Sequence, residues 1–377
     1  MVFHVCRIGL RRGAQMKFPA AHLGIFRGVG GVLASKMAPA MRPQLQQPCN
    51  SMSTFKESLH SFFMGPSYMN RFDENSKIIV VDGNIGCGKS KFSKELADKM
   101  GMKYVPEAHV HYLDELELGV GNKYDPRYIG DVSLDRFYKD PFAKDGHSFR
   151  FQLIMYAMRF RQYADVIEHL LTTGQGLVVE SSVYSDHVFM EAMFKMGYFR
   201  NACRDFYNEV KGVSLYRLRP PHLVIYLDAP VDVLQKRIKE RSREGESAIS
   251  GDYLQLIEEA YKNDFLPEMS DTTEVLSYDW SQYGEVDQVV EDISILKFEH
   301  LPWNTEDDTT LHKLYKFVNN KYHVARCMDL PKYLPEITFG GQEFYNMTCD
   351  FEEKFNKRYA PGYNLKEGES RWKLLFK

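Results

Sequence analysis

Hydrophobic and polar positions follow two alternating periods over residues 77–296. Short apolar runs, such as Ile78–Val81 and Leu223–Asp228, are typical of buried strands. Between such runs, apolar residues recur at helical spacing, most clearly in the long amphipathic stretch 148–172. Strands that alternate with helices predict a parallel sheet covered on both faces, an α/β fold of three αβα layers.

The individual elements can be placed along this core. Strands are predicted at 77–82, 102–105, 176–180, 223–228 and 274–278. Helices are predicted from the end of the first turn to residue 100, then at 148–172, after 180 to 196, and at 232–243, 252–263 and 286–296. Ligands of such sheets bind outside the carboxyl ends of the strands. Glu107, Glu180 and Asp228 fall at three of these ends, so we expect all three beside the site.

A glycine-rich motif connects the first predicted strand to the first helix. The sequence Gly83-x-x-x-x-Gly88-Lys89-Ser90 is the phosphate-binding P-loop, in which backbone N–H groups and a helix N-terminus surround an anion. Lys89 is predicted to reach the terminal phosphates, and the Ser90 hydroxyl to ligate Mg²⁺. A glycine turn that only packs a helix on a sheet is the alternative. The predicted phosphate-binding residues are Gly83, Asn84, Ile85, Gly86, Cys87, Gly88, Lys89 and Ser90.

The two ends of the chain differ from the core. Residues 1–50 carry several arginines and no acidic residue, which is typical of a mitochondrial transit peptide; a disordered basic tail is the alternative. Residues 51–76 form a lead-in segment to the domain at 77–296. Residues 297–377 are rich in aromatics and prolines and lose the strand–helix rhythm. This irregular C-terminal extension is predicted either to wrap back over the domain or to dock on a partner.

Composition excludes several classes of function. The net charge of −3 gives no global field for nucleic acid, so no nucleic-acid partner is predicted. The six cysteines are scattered, without a ligand cluster for an iron–sulfur centre. No dinucleotide fingerprint indicates NAD or FAD, and no apolar run reaches the length of a transmembrane segment.

Several motifs appear in the order found in one enzyme family. They are the P-loop Gly-Asn-Ile-Gly-Cys-Gly-Lys-Ser, Pro106-Glu107, Phe151-Gln152, Val179-Glu180-Ser181-Ser182, the arginine-bearing run Gln235–Glu246, and Asp252-Tyr253-Leu254 with Tyr261. On these residues the stretch 76–294 resembles the deoxynucleoside kinases. The resemblance implies a P-loop kinase-type sandwich and a bound purine nucleotide (ATP, ADP or a deoxynucleotide), with Mg²⁺ as its companion ion.

The resemblance also implies roles for single residues. Glu107 matches the base toward the sugar 5′-hydroxyl, Gln152 the amide that grips the base edge, and Glu180 the acid of the Glu-Arg-Ser motif. The arginines of the matching lid are Arg237, Arg241 and Arg243. Their near-helical spacing lets them close on phosphates as bidentate forks, although a solvated basic helix face is an alternative. For Gln152, the alternative is an internal hydrogen bond.

Two departures from the kinase pattern bear on catalysis. Ser181 stands where the kinases carry arginine, and a serine cannot supply fixed positive charge to a developing phosphoryl charge. Lys91 follows Ser90, where the kinases often have a second Ser or Thr. Glu107 is therefore predicted to be a vestigial base. The chain also continues for about eighty residues past the point where the kinases end.

This layout resembles the deoxynucleoside-kinase-like accessory subunits of mitochondrial respiratory complex I. Matching stretches include Pro220–Tyr226, Phe265–Ser270 and Arg358–Asn364. The resemblance implies other complex I subunits as partners and a peripheral place on the matrix side of the inner membrane. It predicts a non-catalytic subunit that supports assembly or stability. An active mitochondrial deoxynucleoside kinase remains an alternative, and a thymidylate-kinase-like enzyme fits Glu107 and Gln152 less well.

Overall fold

A five-stranded parallel sheet forms the centre of the protein. The computed structural model describes residues 68, 71–118, 132–243, 245–298, 303 and 307–337. The strands are β1 (Ile78–Gly83), β2 (Lys103–Val105), β3 (Leu177–Glu180), β4 (Leu223–Asp228) and β5 (Glu274–Asp279). They lie in the order β2-β3-β1-β4-β5, and every pairing is parallel. This order places the end of β1, where the P-loop begins, in the middle of the sheet.

Helices cover both faces of this sheet. In chain order they are α1 (Lys89–Met100), α2 (Tyr112–Leu118), α3 (Leu134–Lys139), α4 (His147–Thr173), α5 (Asp186–Lys195), α6 (Asn201–Ser214), α7 (Val231–Arg241), α8 (Gly251–Ala260), α9 (Leu266–Ser270), α10 (Val286–Ile295), α11 (Asp308–Asn319) and α12 (Lys321–Arg326). Short 3₁₀ turns occur at Leu215–Arg217, Glu246–Ala248 and Pro335–Ile337, and a π-helical segment, Tyr261–Phe265, joins α8 to α9.

Successive residues of β1 point into two separate cores. Ile78 and Val80 belong to the core that contains α4, α5, α6 and α8, whereas Ile79 and Val81 belong to the core that contains α1, α7 and α10. All four residues are fully buried. Because side chains alternate across a strand, an unbroken apolar run indicates burial on both faces. The predicted three-layer αβα sandwich is therefore confirmed.

Helix α6 is one element that the sequence analysis did not predict. Its buried residues Cys203, Phe206, Tyr207 and Val210 follow the i, i+3, i+4, i+7 spacing of an amphipathic helix. Gly212 near its end and the prolines that follow obscure this pattern. The helix adds a further layer against α4 and α5, and it positions Tyr207 beside the candidate site.

The described part of the C-terminal extension packs onto the domain. Trp303 stacks on His222 with ring centroids 4.8 Å apart, and its Nε1–H donates to the carbonyl of Pro220 at 2.7 Å. Helices α11 and α12 lie along α4, where Lys321 forms ion pairs with Asp165 (2.5 Å) and Glu168. The described part of the extension thus wraps back over the domain. Residues 338–377 lie outside the described part.

The N-terminal predictions concern residues that are largely outside the description. The transit segment 1–50 lies entirely outside it, and of the lead-in segment only 68 and 71–76 are described. Tyr68 is buried, and its hydroxyl shares a 2.9 Å hydrogen bond with His312 of α11. No helix within the described ranges is both long enough and apolar enough to cross a membrane.

Candidate nucleotide site

The P-loop has the conformation that its glycines were expected to permit. Gly83 has φ = 153°, and a Cβ placed there would lie 2.8 Å from the carbonyl oxygen of Leu227. Gly88, the residue before α1, has φ = 99°, and a Cβ there would lie 2.7 Å from the ring of Tyr283. Both positions therefore favour glycine for conformational reasons, and at Gly83 the backbone carbonyl of Leu227 adds a steric reason. The loop delivers the N-terminus of α1 to the carboxyl edge of the sheet.

The lysine of the loop is folded back on the loop itself. Lys89 is buried, and its Nζ donates to the carbonyl oxygens of Gly83 at 2.9 Å and Asn84 at 3.1 Å. Neutral carbonyls replace only part of the hydration that a buried ammonium loses. The amide of Asn84 bonds the carbonyl of Leu254 at 2.8 Å and so fixes the loop to α8. No carboxylate of the described residues bonds Lys89 directly, although the charges of Glu107 and Glu180 act on it, and Lys89 lines the cavity.

Ser90, the first-turn serine of α1, meets a carboxylate from the adjacent strand. Its hydroxyl donates to Glu180 Oε1 at 2.6 Å. The second oxygen of Glu180, Oε2, accepts from the hydroxyl of Tyr104 at 2.9 Å. Glu180 is 5% exposed. The burial of Tyr104 and the negative charge of Glu180 raise the pKa of Tyr104, so its hydroxyl stays protonated and remains a donor. Tyr104 was not among the predicted site residues.

A second polar cluster lies deeper, around α4. Arg159 donates to Glu107 Oε1 at 2.7 Å and to Asp186 Oδ1 at 2.5 Å, so its guanidinium bridges two carboxylates. Asp186 Oδ2 accepts from Gln152 at 2.8 Å and from Tyr207 at 2.5 Å. Burial alone would raise the pKa of Glu107, but the charges of Arg159 and Lys89 and the hydrogen bond from Arg159 together hold that pKa below the ordinary value. Arg159 and Asp186 were missed by the sequence analysis.

A cavity of about 440 Å³ joins these two clusters. This volume lies within the range of about 300–1,000 Å³ that is usual for small-molecule sites. Its apolar wall includes Phe137 and Phe151, whose rings are stacked at a 5.3 Å centroid distance and a 9° angle. The remaining apolar wall residues include Leu134, Tyr138, Met155, Phe189, Met193 and Tyr253. A flat aromatic group could lie against this wall while a charged group reaches the P-loop.

The predicted residues divide into those that line this cavity and those that do not. Ile85, Gly86, Gly88, Lys89, Ser90, Glu107, Gln152, Glu180, Arg241 and Arg243 line it. Gly83, Asn84, Cys87 and Arg237 are not among its lining residues. Cys87 is fully buried in the core beneath the loop, and Asn84 is 1% exposed. The nucleotide-binding roles of all these residues stay predictions.

The three lid arginines have different surroundings. Arg241 forms a bidentate pair with Glu246, with distances of 2.9 and 2.6 Å. Arg237 donates to the carbonyls of Cys87, Trp280 and Ser281 and lies 4.2 Å from the centroid of the Tyr283 ring. Arg243 is exposed, at the mouth of the cavity. Arg237 therefore supports the back of the loop, while the other two arginines face the cavity.

Two residues beside the loop hold polar atoms without partners. Ser181 has φ = 57°, in the left-handed region, and its buried Oγ has no hydrogen-bond partner within the described structure. Asp82 is fully buried; its Oδ1 accepts from Ser185 at 2.7 Å, while Oδ2 has no partner there. Burial raises the pKa of Asp82 to about 6. No arginine occupies position 181 to supply charge to a phosphate.

The oxygen ligands available at the phosphate end fit a magnesium–nucleotide complex. Mg²⁺ prefers oxygen ligands such as a hydroxyl, a carboxylate and phosphate oxygens. The Ser90 hydroxyl and the Glu180 carboxylate provide such oxygens, and neither Glu180 nor Asp82 has an ion pair with a described residue. Buried carboxylates are usually paired or bound to metal. The site is therefore chemically suited to a divalent cation.

Comparisons with known proteins point to two related groups. Residues 79–299 match the family model described as deoxynucleoside kinase. The mitochondrial NADH dehydrogenase (ubiquinone) 1 alpha subcomplex subunit 10 of Bos taurus is 44% identical over 312 residues, which are 83% of this chain and 90% of the relative. The Mus musculus protein of that name is 45% identical over 309 residues, 82% of this chain and 86% of the relative. Deoxyguanosine kinase of Dictyostelium discoideum is 27% identical over 225 residues, 60% and 71% of the two chains.

Proposed function

Because this chain belongs to the deoxynucleoside kinase family and to the family of the NADH dehydrogenase (ubiquinone) 1 alpha subcomplex subunit 10 proteins, we propose that it is an accessory subunit of mitochondrial complex I. The observation that carries the proposal is 44% identity along 90% of the bovine relative. That match extends well beyond the kinase-like residues 79–299. The subunit supports assembly or stability of the complex and carries no electrons itself.

In this proposal the P-loop pocket still binds a purine nucleotide. The loop supplies Lys89 and the N-terminus of α1 for phosphates, and the cavity beyond it offers an aromatic wall for a base. Gln152 and Arg159 lie at the far end of that cavity, where they can contact polar edges of the base. A bound Mg²⁺ would neutralise phosphate charge, held by Ser90 with Glu180 beside it. The nucleotide then stabilises the folded subunit, since a ligand that binds only the native state does so by mass action.

Two features of the site argue against efficient phosphoryl transfer. Such transfer depends on positioned cations that stabilise the charge of the moving phosphoryl group. Ser181 supplies none: its Oγ is buried, and the residue is not among those that line the cavity. Glu107 would have to accept the proton of a sugar hydroxyl, but its pairing with Arg159 at 2.7 Å lowers its pKa and weakens it as a base. Both features favour a pocket that binds nucleotide without turnover.

The proposed location follows from the proposed assembly. The relatives carry "mitochondrial" in their names, and the acid-free N-terminal fifty residues suit import. We place the subunit on the matrix side of the inner membrane, held by contacts with other subunits. The extension supplies a surface for such contacts, because residues 307–337 pack on α4, pair through Lys332 with Glu209 of α6, and leave Tyr322 and Tyr333 more than two-thirds exposed.

Native gel electrophoresis tests the assembly proposal. Mitochondria are solubilised in mild detergent, and the endogenous protein is followed by antibody and by mass spectrometry of its neighbours. We expect co-migration with complex I subunits in an inner-membrane complex. A protein found only as a free species in the matrix would contradict the proposal.

A kinase assay tests the alternative activity. Purified mature protein is incubated with ATP, Mg²⁺ and each deoxynucleoside, and nucleoside monophosphate is quantified by chromatography. We expect little or no product. Saturable turnover that Lys89→Ala abolishes would instead support an active deoxynucleoside kinase.

A further inference from the structure

Tyr104 donates a hydrogen bond to Glu180 beside the P-loop. It lies on the edge strand β2, where it pairs in register with Val178 of β3. Glu180 is two residues beyond Val178, so its side chain emerges on the same face of the sheet. Helix α1 packs on that face and brings Ser90 to the other side of the carboxylate. Three neighbouring elements thus contribute one side chain each to a single row.

This row gives each oxygen of the Glu180 carboxylate one hydrogen bond, and neither bond comes from a charged group. One oxygen accepts from Ser90 at 2.6 Å and the other from Tyr104 at 2.9 Å, and both donors are neutral hydroxyls. No described lysine, arginine or histidine forms an ion pair with Glu180, although it is 5% exposed. A buried carboxylate with no ion-pair partner in contact favours a cation nearby, and a divalent ion beside Glu180 would supply one.

The hydrogen bond to Ser90 also sets the orientation of the serine hydroxyl. Because its proton points to Glu180, the lone pairs of Ser90 Oγ remain available to a cation at the phosphates. Groups that orient a metal ligand in this way typically change metal affinity about 10- to 100-fold when they are removed. Glu180 can hold this orientation only if its own side chain is fixed, and Tyr104 is the group that fixes the second oxygen.

We infer that Tyr104 is a positioning residue for the divalent cation that accompanies the nucleotide: it anchors Glu180, and Glu180 aims the Ser90 hydroxyl at the metal. The inference rests on the proposed nucleotide binding and extends it to a residue outside the P-loop. A strand residue suits this role, since side chains on a sheet are held more rigidly than those on loops.

Calorimetric titration of ATP into the purified full chain tests the inference. The dissociation constant is measured in EDTA and at saturating Mg²⁺. The readout is the value in EDTA divided by the value in Mg²⁺, which is the factor by which Mg²⁺ tightens ATP binding. For Tyr104→Phe, which loses only the hydroxyl, we expect this ratio to fall about tenfold below that of the unchanged protein. Glu180→Gln should reduce it at least as far. Electron paramagnetic resonance of Mn²⁺ in the presence of ATP should show weaker metal binding in Tyr104→Phe and Glu180→Gln than in the unchanged protein.

Tyr278→Phe is the matched control. Tyr278 also lies on a strand and donates to a carboxylate at 2.9 Å, that of Asp292, but it is not among the residues that line the cavity. We expect its ratio to equal that of the unchanged protein. An unchanged ratio in Tyr104→Phe would overturn the inference, as would an unchanged protein that binds ATP with no effect of Mg²⁺. In both cases the nucleotide proposal would stand. Absence of any ATP binding would overturn both.

Discussion

At the phosphate end of the cavity, charged side chains are held by neutral partners, whereas at the far end they form ion pairs with one another. Lys89 bonds two carbonyls and Glu180 two hydroxyls. At the far end, the buried Arg159 bridges the fully buried Asp186 and the partly exposed Glu107. The phosphate end therefore has charges available for an ionic ligand, while the far end is suited to an uncharged group such as a nucleoside.

Asp186→Ala should give the largest effect, because it removes one acid from the far-end network. Asp186 is fully buried and accepts hydrogen bonds from three side chains. Breaking a buried pair in this way typically costs about 3–5 kcal/mol. We expect a loss of that size in the free energy of unfolding, measured by urea denaturation.

Glu268→Ala provides the control for that loss. Glu268 is 58% exposed and lies 3.6 Å from Lys211, and an exposed pair contributes at most about 1 kcal/mol. Equal small losses for both variants would mean that the far-end charges are not a buried network. The comparison between the two ends would then fail.

Sequence reasoning predicted the two ends unequally. The P-loop residues are neighbours along the chain, so their spacing alone predicted the loop, and the apolar runs predicted the confirmed sandwich. The far-end network was missed, because Arg159 meets Asp186 only after α4 and α5 pack together. One signal was available: Arg159 follows Gln152 by seven residues, or two helical turns, which puts both on one face of α4. Tyr104 gave no comparable signal, because its partner depends on the register of β2 and β3.

Asp82→Asn should reveal the unpaired carboxylate at the phosphate end. Burial raises the pKa of Asp82 from 3.8 to about 6, so the folded state binds a proton more tightly than the unfolded state. Stability from this group is therefore present below about pH 4 and is lost as the pH rises through about 6, by about 3 kcal/mol in all. Relative to the unchanged protein, the variant should gain stability as the pH rises over this window.

Urea unfolding of both proteins at several pH values measures this difference directly. Other titrating groups are common to both proteins and cancel in the subtraction. A difference that does not vary with pH would show that Asp82 is ionised equally in both states, and that the phosphate end does not hold an uncompensated carboxylate.

Lys89→Ala tests the charge that the phosphate end offers to a ligand. A hydrogen bond to a charged group contributes about 1.5–3 kcal/mol, so ATP affinity should fall about 10- to 100-fold. Deoxyadenosine, which has no phosphate, should lose far less affinity if it binds the far end. Calorimetry with both ligands measures the contrast, and Lys91→Ala, an exposed neighbour, is the matched control. Equal losses for both ligands would contradict the division of the cavity into two ends.

Ser181→Gly should give the smallest effect and test whether position 181 still belongs to the phosphate end. Ser181 has φ = 57°, a conformation that costs a residue with a Cβ about 1–2 kcal/mol. Glycine removes this cost, but its greater freedom in the unfolded chain cancels part of the gain. We therefore expect a gain of about 1 kcal/mol in the free energy of unfolding. Ser242→Gly, at φ = 50° on the C-terminus of α7, should give a similar gain and serves as the control. Because the buried Ser181 hydroxyl has no partner among the described residues, ATP affinity should stay within about twofold. A larger loss of ATP affinity in Ser181→Gly, but not in Ser242→Gly, would show that Ser181, which stands in place of the kinase arginine, has acquired a role at the phosphates.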